Sequence, residues 1–398
     1  MKSHTPHPVI PVNQLQAGMY VIAITSQTGG MEIAQMGLVT TRQQIDDLIR
    51  RGVLTVRVDL ARSKLAGIEQ IIFPDPAASS IASQRPTGSA NSEGRELKIR
   101  RLYQEARELQ GKFIRQLKAG EPIDITPLAT VAEEMVDTMF THGDAMLCLA
   151  RIRAKDAYLM EHSMNVAILL ANFGRYLALE RSVLKELTLG GLLHDVGKIM
   201  TPDEVLNKPG KLTDEEFTVM RQHVVHSHDI LSSTPGITAT MLEVAANHHE
   251  RLDGTGYPRH LKGDQLSLYT RMSGIVDVYD AVTADRVYKQ GMQPTQAFRI
   301  LLKGADHHFD RLLVTKFIKC MGVYPVGTLV QLSNQRLAIV MQRNPQEPLK
   351  PVVKVIYHAT QRHYLEVQWL DLAKSGVQES IESTVDPKEF GISLANFV

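Results

Sequence analysis

Apolar residues recur at helical spacing through the middle of the chain. Between residues 156 and 178, Met160, Met164 and Ala167 fall on one face of a helix. His162 lies on a different face of this helix, so its imidazole can point toward the neighbouring helices of a bundle. The pattern therefore predicts a helix that packs through one face and offers a polar side chain from another.

A second apolar run ends at a polar pair. Leu187, Leu192 and Leu193 precede His194-Asp195, so we expect this pair near the end of a buried helix. A buried charged pair needs a compensating partner. A metal ion would supply that compensation.

Two further helices are predicted at residues 95–118 and 130–153. There Leu97, Leu102 and Leu109 are interspersed among Arg, Lys and Glu. We expect these helices to brace the bundle that follows them.

The beginning of the chain has a different pattern. Residues 9–12, 19–24 and 53–58 resemble strands, and residues 41–51 resemble a helix. These segments predict a small β-rich α/β module. Residues 74–94 are rich in Pro, Ala, Ser and Gly with little charge, which is typical of a flexible linker.

Short strands are also predicted after Gly322, at residues 328–332, 337–341 and 351–356. The expected fold class is therefore mainly α, with a small β-rich N-terminal domain and a short β-rich C-terminal appendage.

The charge and the cysteine content limit which partners and which cellular compartment we expect for this protein. Lys and Arg number 44 and Asp and Glu 43, for a formal net charge of +1, which argues against bulk binding to a nucleic acid polymer. Cys148 and Cys320 lie in apolar helical stretches and offer no disulfide framework. There is neither a signal-peptide pattern nor an apolar run long enough to span a membrane. We expect a soluble protein of the reducing cytoplasm.

Histidines are concentrated in one quarter of the chain, where eight of the 15 fall between His162 and His260. Imidazole and carboxylate together suit divalent zinc, iron or manganese. Hydrolysis of a phosphodiester by two metal ions would need about six ligands or more. The chain offers seven candidates: His162, His194, Asp195, His223, His248, His249 and Asp277.

Four motifs in order resemble the HD-GYP family, a bacterial branch of the HD phosphohydrolases, over about residues 150–322. His194-Asp195-Val196-Gly197-Lys198 is similar to the HDxGK motif of that family. The run NKPGKLT at 207–213 is similar to its KPGxLT segment, and HHERLDGTGYP at 248–258 matches HHExxDGxGYP. The fourth motif joins DVYDA at 277–281 to DRVYK at 285–289.

The resemblance implies two divalent metal ions, which we expect to be iron or manganese. His162, His194, Asp195 and Asp277 would hold one ion. Asp195 would bridge to a second ion, held also by His223, His248 and His249.

Other residues receive roles near the metal ions. Lys198 follows Asp195 by three residues, so one helical turn brings its ammonium over the same site. The resemblance makes Lys198 and Asp195 catalytic and lets Lys198, Arg286 and Lys289 bind substrate. Asp280 is a further candidate for substrate binding, or it orients a ligand or Lys198 from behind.

Some polar residues have an ordinary structural interpretation. His226 and His228 fit as polar helix residues, and His307-His308 lies outside the ligand pattern. Gly254, Gly256 and Pro258 suit a loop that ends a helix, while the resemblance places Tyr257 at the border of the site and allows it a role in partner recognition.

The chain departs from the family at two positions. Some members carry a Glu one turn before the first histidine that holds a third metal ion, and here Tyr158 stands there. We therefore expect two metal ions, and activity that need not be efficient. Ser227 stands where the family often has Gly, a difference to which little weight is given.

The resemblance implies a phosphodiesterase that hydrolyses cyclic di-GMP to pGpG, GMP or both through a metal-bridging hydroxide. It also implies a role in bacterial signalling, biofilm formation and motility. Diguanylate cyclase or other signalling proteins are candidate partners, and an oligomer is an open alternative. Two other functions remain open: a cyclic di-GMP sensor or scaffold with weak turnover, and an HD nucleotidase acting on mononucleotides.

The predicted domains follow from these patterns. The N-terminal module, similar to an unassigned domain that often precedes HD-GYP domains, would regulate or localise the activity. The divisions are the module at 1–73, the linker at 74–94, bracing helices at 95–153, the catalytic domain at 154–322 and the appendage at 323–398.

Overall fold

The computed structural model describes residues 9–12, 15, 18–27, 37–51, 53–59, 92–152, 158–285 and 291–397. Arg286 and Lys289, predicted to bind substrate, lie outside the described residues, as does most of the predicted linker. The chain divides into two units, residues 1–83 and 84–398. The predicted division into five segments stays a prediction.

The first unit is a four-stranded antiparallel sheet with one helix. The strands are β1 (Val9–Pro11), β2 (Tyr20–Gln27), β3 (Gly37–Leu38) and β4 (Val53–Asp59), in the order β1-β4-β2-β3, and the helix is α1 (Arg42–Arg50). Thr41 begins α1 with a capping box, in which its hydroxyl accepts from the Gln44 N–H. Nine buried residues, which include Leu15, Ile45 and Val56, form the core. The predicted β-rich α/β module is confirmed.

Helices make up most of the second unit. They are α2 (Ser92–Ala119), α3 (Thr126–Arg151), α4 (Tyr158–Tyr176), α5 (Arg181–Leu193), α6 (Asp203–Leu206), α7 (Asp214–Arg221), α8 (His223–Ser232), α9 (Ala239–Asn247), α10 (Leu268–Thr283), α11 (Pro294–Lys303) and α12 (Arg311–Met321). A 3₁₀ turn, Val196–Met200, follows α5.

Helices α4 and α5 pack closely because a glycine removes a side chain between them. A Cβ added at Gly191 would lie 2.7 Å from the Ala167 Cα, a distance that a real Cβ does not tolerate. Of the apolar stripe predicted on α4, Met164 and Ala167 are fully buried, whereas Met160 is partly exposed. This packing brings the end of α5 against the polar face of α4.

Helix α2 braces the end of α5 through a polar contact. The Gln110 side chain is buried, and its Nε2 donates to the Leu192 carbonyl oxygen at 2.6 Å. The last carbonyls of a helix have no partner within the helix. Gln110 therefore supplies a cap from a different helix to the turn that precedes His194.

The chain ends in a five-stranded antiparallel sheet. Its strands are β5 (Leu329–Leu332), β6 (Arg336–Gln342), β7 (Val352–His358), β8 (His363–Asp371) and β9 (Ile381–Thr384), in the order β8-β7-β6-β5-β9. Strands β5 to β7 were predicted, whereas β8 and β9 were not. Arg343, at the end of β6, donates Nε to Asp144 Oδ1 on α3 at 2.7 Å and ties the sheet to the bundle.

The mainly α fold class with β-rich ends is confirmed. Cys148 and Cys320 are buried, and neither forms a disulfide. Among the described helices, none combines the length and the apolar character that crossing a lipid bilayer requires.

Candidate metal centre

Five helices bring the seven candidate ligands to one place. The C-terminal ends of two of them are used, because His194 follows α5 and His248 follows α9. His162 lies on α4, His223 begins α8, and Asp277 lies on α10. Ligands spread over 115 residues of sequence thus meet in the interior.

The candidate ligands are removed from water to different degrees. The His194 side chain has no exposed surface, and those of Asp195 and His223 are 2% exposed. The His249 side chain is 19% exposed. His249 therefore lies on the open side of the centre.

Three histidines are held in one orientation by backbone carbonyls. Nδ1 lies 2.8 Å from the Gly191 oxygen in His194, 2.7 Å from the Met220 oxygen in His223, and 3.0 Å from the Ala245 oxygen in His248. A carbonyl can only accept, so Nδ1 carries the hydrogen in each ring and Nε2 keeps a free lone pair.

Those three Nε2 atoms fit metal ligation. Each is buried, and none has a hydrogen-bond partner among the described residues. A buried polar atom without a partner is costly, whereas coordination of a cation would satisfy all three. The residues present therefore fit a metal centre.

His162 is oriented by carboxylates. Its Nδ1 donates to Asp280 Oδ2 at 2.7 Å, and its Nε2 lies 3.0 Å from Asp277 Oδ1. Asp280 is 2% exposed. This geometry favours the orienting role considered for Asp280 over direct contact with substrate.

Asp195 lies between two groups of ligands. Its Oδ2 is 3.4 Å from His194 Nε2 and 3.6 Å from His162 Nε2, whereas its Oδ1 is 3.3 Å from His223 Nε2 and 3.9 Å from His248 Nε2. Each carboxylate oxygen thus faces a different group. This is the arrangement that a bridging carboxylate between two cations requires.

Candidate ligand atoms are close enough together to share an ion. They lie within 4.8 Å of one another in three overlapping sets: His162, His194 and Asp277; His194, Asp195 and His248; His223, His248 and His249. The cluster suits divalent metal ions.

Burial sets the protonation states of the centre. Burial lowers the pKa of His223 to about 4 and of His249 to about 3, although nearby carboxylates oppose the shift. Burial alone would raise the pKa of Asp195, but Lys198 and His194 hold it well below its usual range. Neutral imidazole and ionised carboxylate are the forms that bind metal.

His162 differs because its surroundings are acidic. Burial lowers its pKa, but hydrogen bonds to Asp277 and Asp280 outweigh burial and raise it to about 9. A cation beside these carboxylates would compete with that proton.

Lys198 reaches the centre as its spacing predicts. It lies in the 3₁₀ turn after Asp195, and its Nζ donates to Asp195 Oδ2 at 2.5 Å. Its side chain is 18% exposed. An ammonium in this position adjoins both the carboxylate and solvent.

Ser227 has a larger structural role than the sequence analysis gave it. Its hydroxyl accepts from the Gly197 N–H at 2.8 Å and donates to the His194 carbonyl at 2.9 Å. A Cβ at Gly197 would lie 2.0 Å from the His223 oxygen. Gly197 and Ser227 therefore hold α8 against the turn that carries His194 and Lys198.

Glu250 was not singled out from the sequence, yet it organises the loop after His249. Its carboxylate accepts from the backbone N–H groups of Arg259 at 2.7 Å and Leu261 at 3.0 Å. A Cβ at Gly256 would lie 2.4 Å from the Glu250 Cα. The signal that could have found Glu250 is its place directly after two histidines in a loop-forming run.

His226, His228, His307 and His308 lie outside the three sets of candidate ligand atoms. His228 is exposed and pairs with Asp229. The backbone oxygens of His307 and His308 accept from the N–H groups of Asp253 and Leu252, and so hold the loop that follows His249.

The family follows from comparison with known proteins. The HD domain profile matches residues 147–313. A cyclic di-GMP phosphodiesterase of Pseudomonas aeruginosa is 34% identical over 382 residues, which covers 94% of this chain and 90% of that protein. The chain belongs to the HD-GYP family.

Other relatives match shorter parts of the chain. A cyclic di-GMP phosphodiesterase of Vibrio cholerae is 46% identical over 132 residues, 32% of this chain and 27% of that protein. The 3′3′-cGAMP-specific phosphodiesterase 1 of the same organism is 40% identical over 157 residues, 39% of this chain and 36% of that protein. Among solved structures, Bd1817, a HDGYP protein from Bdellovibrio bacteriovorus, has a TM-score of 0.49 at 12% identity over 78% of this chain and 98% of that one.

The flanking regions of the HD-GYP chain match further profiles. A domain of unknown function matches residues 9–128, and a KOW domain associated with the HD domain matches residues 329–391. The first match extends through α2, which packs in the second unit.

Proposed function

We propose that this HD-GYP protein is a metal-dependent phosphodiesterase that hydrolyses cyclic di-GMP to pGpG, GMP or both. The observation that carries the proposal is the pair of ligand groups on either side of Asp195. The 34% identity to a cyclic di-GMP phosphodiesterase over nearly the whole chain supports the substrate.

The proposed ligands are His162, His194, Asp195 and Asp277 for one ion, and Asp195, His223, His248 and His249 for the other. When bound, two such ions supply Lewis acidity and an activated water for attack on phosphorus. The carbonyl contacts of His194, His223 and His248 keep Nε2 aimed inward before any ion binds. Iron or manganese is the proposed metal, because the donors are imidazole and carboxylate.

Lys198 is proposed to stabilise negative charge on the phosphate. Its Nζ is held at Asp195 and has access to solvent, so a phosphate oxygen entering beside Asp195 meets a fixed positive charge. Asp280 keeps the His162 ring in place from behind. Substrate contacts by Arg286 and Lys289 remain predictions from the motif.

A second cyclic dinucleotide deserves direct comparison. Relatives named as 3′3′-cGAMP-specific phosphodiesterases match 39% and 45% of this chain. A sensor or scaffold without useful turnover is the alternative of a different class, because Tyr158 stands at the first position of α4, four residues before His162. An HD nucleotidase would instead prefer mononucleotides.

The test is turnover by protein purified without oxygen and supplied with iron or manganese. Wild type should release pGpG or GMP from cyclic di-GMP, and Asp195→Ala should not. Asp229→Ala is the matched control, because Asp229 is exposed and pairs only with His228 among the described side chains. Tight binding of cyclic di-GMP without hydrolysis under either metal would favour the sensor, and preference for mononucleotides the nucleotidase.

The proposal also covers where the protein is located in the cell and what it assembles with. We propose a cytoplasmic protein whose residues 1–73 regulate or localise the activity, with diguanylate cyclase or another signalling protein as partner. Size-exclusion chromatography with light scattering, with and without a cyclase, measures both assembly and partner binding.

A further inference from the structure

Aromatic rings lead outward from the open side of the metal centre. His249 is the candidate ligand with the most exposed imidazole, and its ring centroid lies 4.8 Å from that of Tyr257. The Tyr257 ring in turn meets Phe217 edge to face, with centroids 6.4 Å apart. These are ordinary aromatic contacts. They form a continuous wall from the proposed ions to the surface.

Arg221 covers this wall. Its guanidinium carbon lies 5.0 Å from the Phe217 ring centroid and 5.8 Å from that of Tyr257. Both distances fall within the range of a cation–π interaction. Arg221 is the last residue of α7 and stands two residues before His223, so the segment that supplies a ligand also positions the guanidinium.

The Arg221 guanidinium makes few hydrogen bonds with the described residues. Its one side-chain hydrogen bond among the described residues is a 3.4 Å contact from Nη2 to Thr218 Oγ1. A guanidinium has five N–H donors. Arg221 is therefore equipped to bind a ligand that presents acceptors.

The Phe217 ring is not part of the hydrophobic core. It is 45% exposed on α7, and Tyr257 beyond it is partly exposed. Exposed aromatic rings next to a basic group are the usual platform on which nucleobases stack. A phosphodiester held at the centre would carry its base outward past His249 toward this platform.

We propose that Phe217, Arg221 and Tyr257 form a nucleobase subsite that selects guanine, an inference that rests on the proposed function. Guanine presents two acceptors, O6 and N7, along the edge that Arg can contact with two hydrogen bonds. Adenine presents N7 beside an N6 amino donor, which Arg cannot accept from. Arg221 thus determines base specificity, while Phe217 and Tyr257 supply stacking that any base can use.

The experiment compares kcat/KM for cyclic di-GMP, 3′3′-cGAMP and cyclic di-AMP in wild type, Arg221→Gln and Phe217→Ala. Gln can pair with the N6/N7 edge of adenine. Arg221→Gln should therefore reduce the cyclic di-GMP to cyclic di-AMP preference by roughly ten-fold to a hundred-fold. Phe217→Ala should raise KM for all three dinucleotides and leave their ranking unchanged.

Arg181→Gln is the matched control. The Arg181 guanidinium carbon lies over the Phe140 ring, 5.2 Å from its centroid, and Arg181 pairs with Asp137 away from the centre. Its substitution should leave the base preference as in wild type. Dissociation constants for cyclic di-GMP and cyclic di-AMP, measured in EDTA, give the same comparison without turnover.

The outcomes separate this inference from the proposed function. Wild type that hydrolyses no cyclic dinucleotide overturns the proposed function, and the EDTA dissociation constants then decide the subsite alone. If Arg221→Gln lowers kcat/KM equally for all three substrates, Arg221 contacts a phosphate and the guanine subsite is overturned. An unchanged preference would overturn it as well.

Discussion

At the scale of single residues, the centre depends on the nitrogen of each histidine that faces away from the proposed ions. His194, His223 and His248 use backbone carbonyls for this purpose, and His162 uses the Asp280 carboxylate. A carbonyl contact is built into the helix, whereas a carboxylate can be removed by substitution. Asp280 is therefore the place to test how much orientation matters.

Asp280→Asn should weaken metal binding by roughly 10- to 100-fold, because a contact that orients a ligand commonly has an effect of this size. Competition with a chromophoric chelator measures it. Asp264→Asn, at an exposed position, should bind metal as wild type does. Equal affinity in the two variants would show that His162 needs no such support.

Lys198→Met should lower kcat by about a hundred- to a thousand-fold, because the variant loses a positive charge placed for the transition state. Both ions should still bind, since Lys198 is not a proposed ligand. Steady-state kinetics with metal analysis on the same samples provide the check. Loss of metal along with activity would instead mean that Lys198 maintains the centre.

The metal-free protein should lose stability as the pH falls from about 6.5 to about 4. The pKa of His223 is lowered from 6.5 to about 4 in the folded protein, so in this range the unfolded chain binds the proton and the folded chain does not. Stability therefore rises with pH here. Urea unfolding in EDTA across this range measures the slope, which His223→Gln should reduce. An identical slope in the variant would contradict the assignment.

At the scale of elements, the C-terminal end of α5 contributes directly to the proposed metal centre. It presents His194 and Asp195, and its Leu192 carbonyl is capped by Gln110 from α2. Gln110, Asp195 and Ile199 also border a cavity of about the size that one water molecule occupies. Bracing by α2 is therefore polar as well as apolar.

Gln110→Leu should destabilise the protein by about 1–3 kcal/mol, because it leaves a buried carbonyl without a donor. Chemical denaturation measures the change. Gln104→Leu, on the exposed face of the same helix, should change stability by no more than about 0.5 kcal/mol. A neutral result for Gln110→Leu would mean that water replaces the amide.

Local patterns predicted the elements that depend on local spacing. The α4 stripe, the apolar run before His194 and the three strands β5 to β7 could all be predicted because their periodicity lies within a few residues. Strands β8 and β9 were missed. Most of β8 is exposed, so burial imposes little pattern on it.

At the scale of the whole molecule, contacts between distant residues could not be predicted. Gln110 meets Leu192 across 82 residues, and no spacing rule links them. The same holds for the proposed nucleobase subsite of Phe217, Arg221 and Tyr257, whose members come from two segments. The seven proposed ligands could be predicted because metal chemistry restricts the residue types and because five of the seven lie in the four motifs.

The central claim is a centre of two metal ions that hydrolyses cyclic di-GMP. Its most direct test is a titration of the metal-stripped protein with manganese or ferrous iron under anaerobic conditions, with bound metal and turnover recorded at each addition. The account predicts that hydrolysis rises as the second ion binds. Full activity with one ion, or two bound ions without hydrolysis, would contradict it.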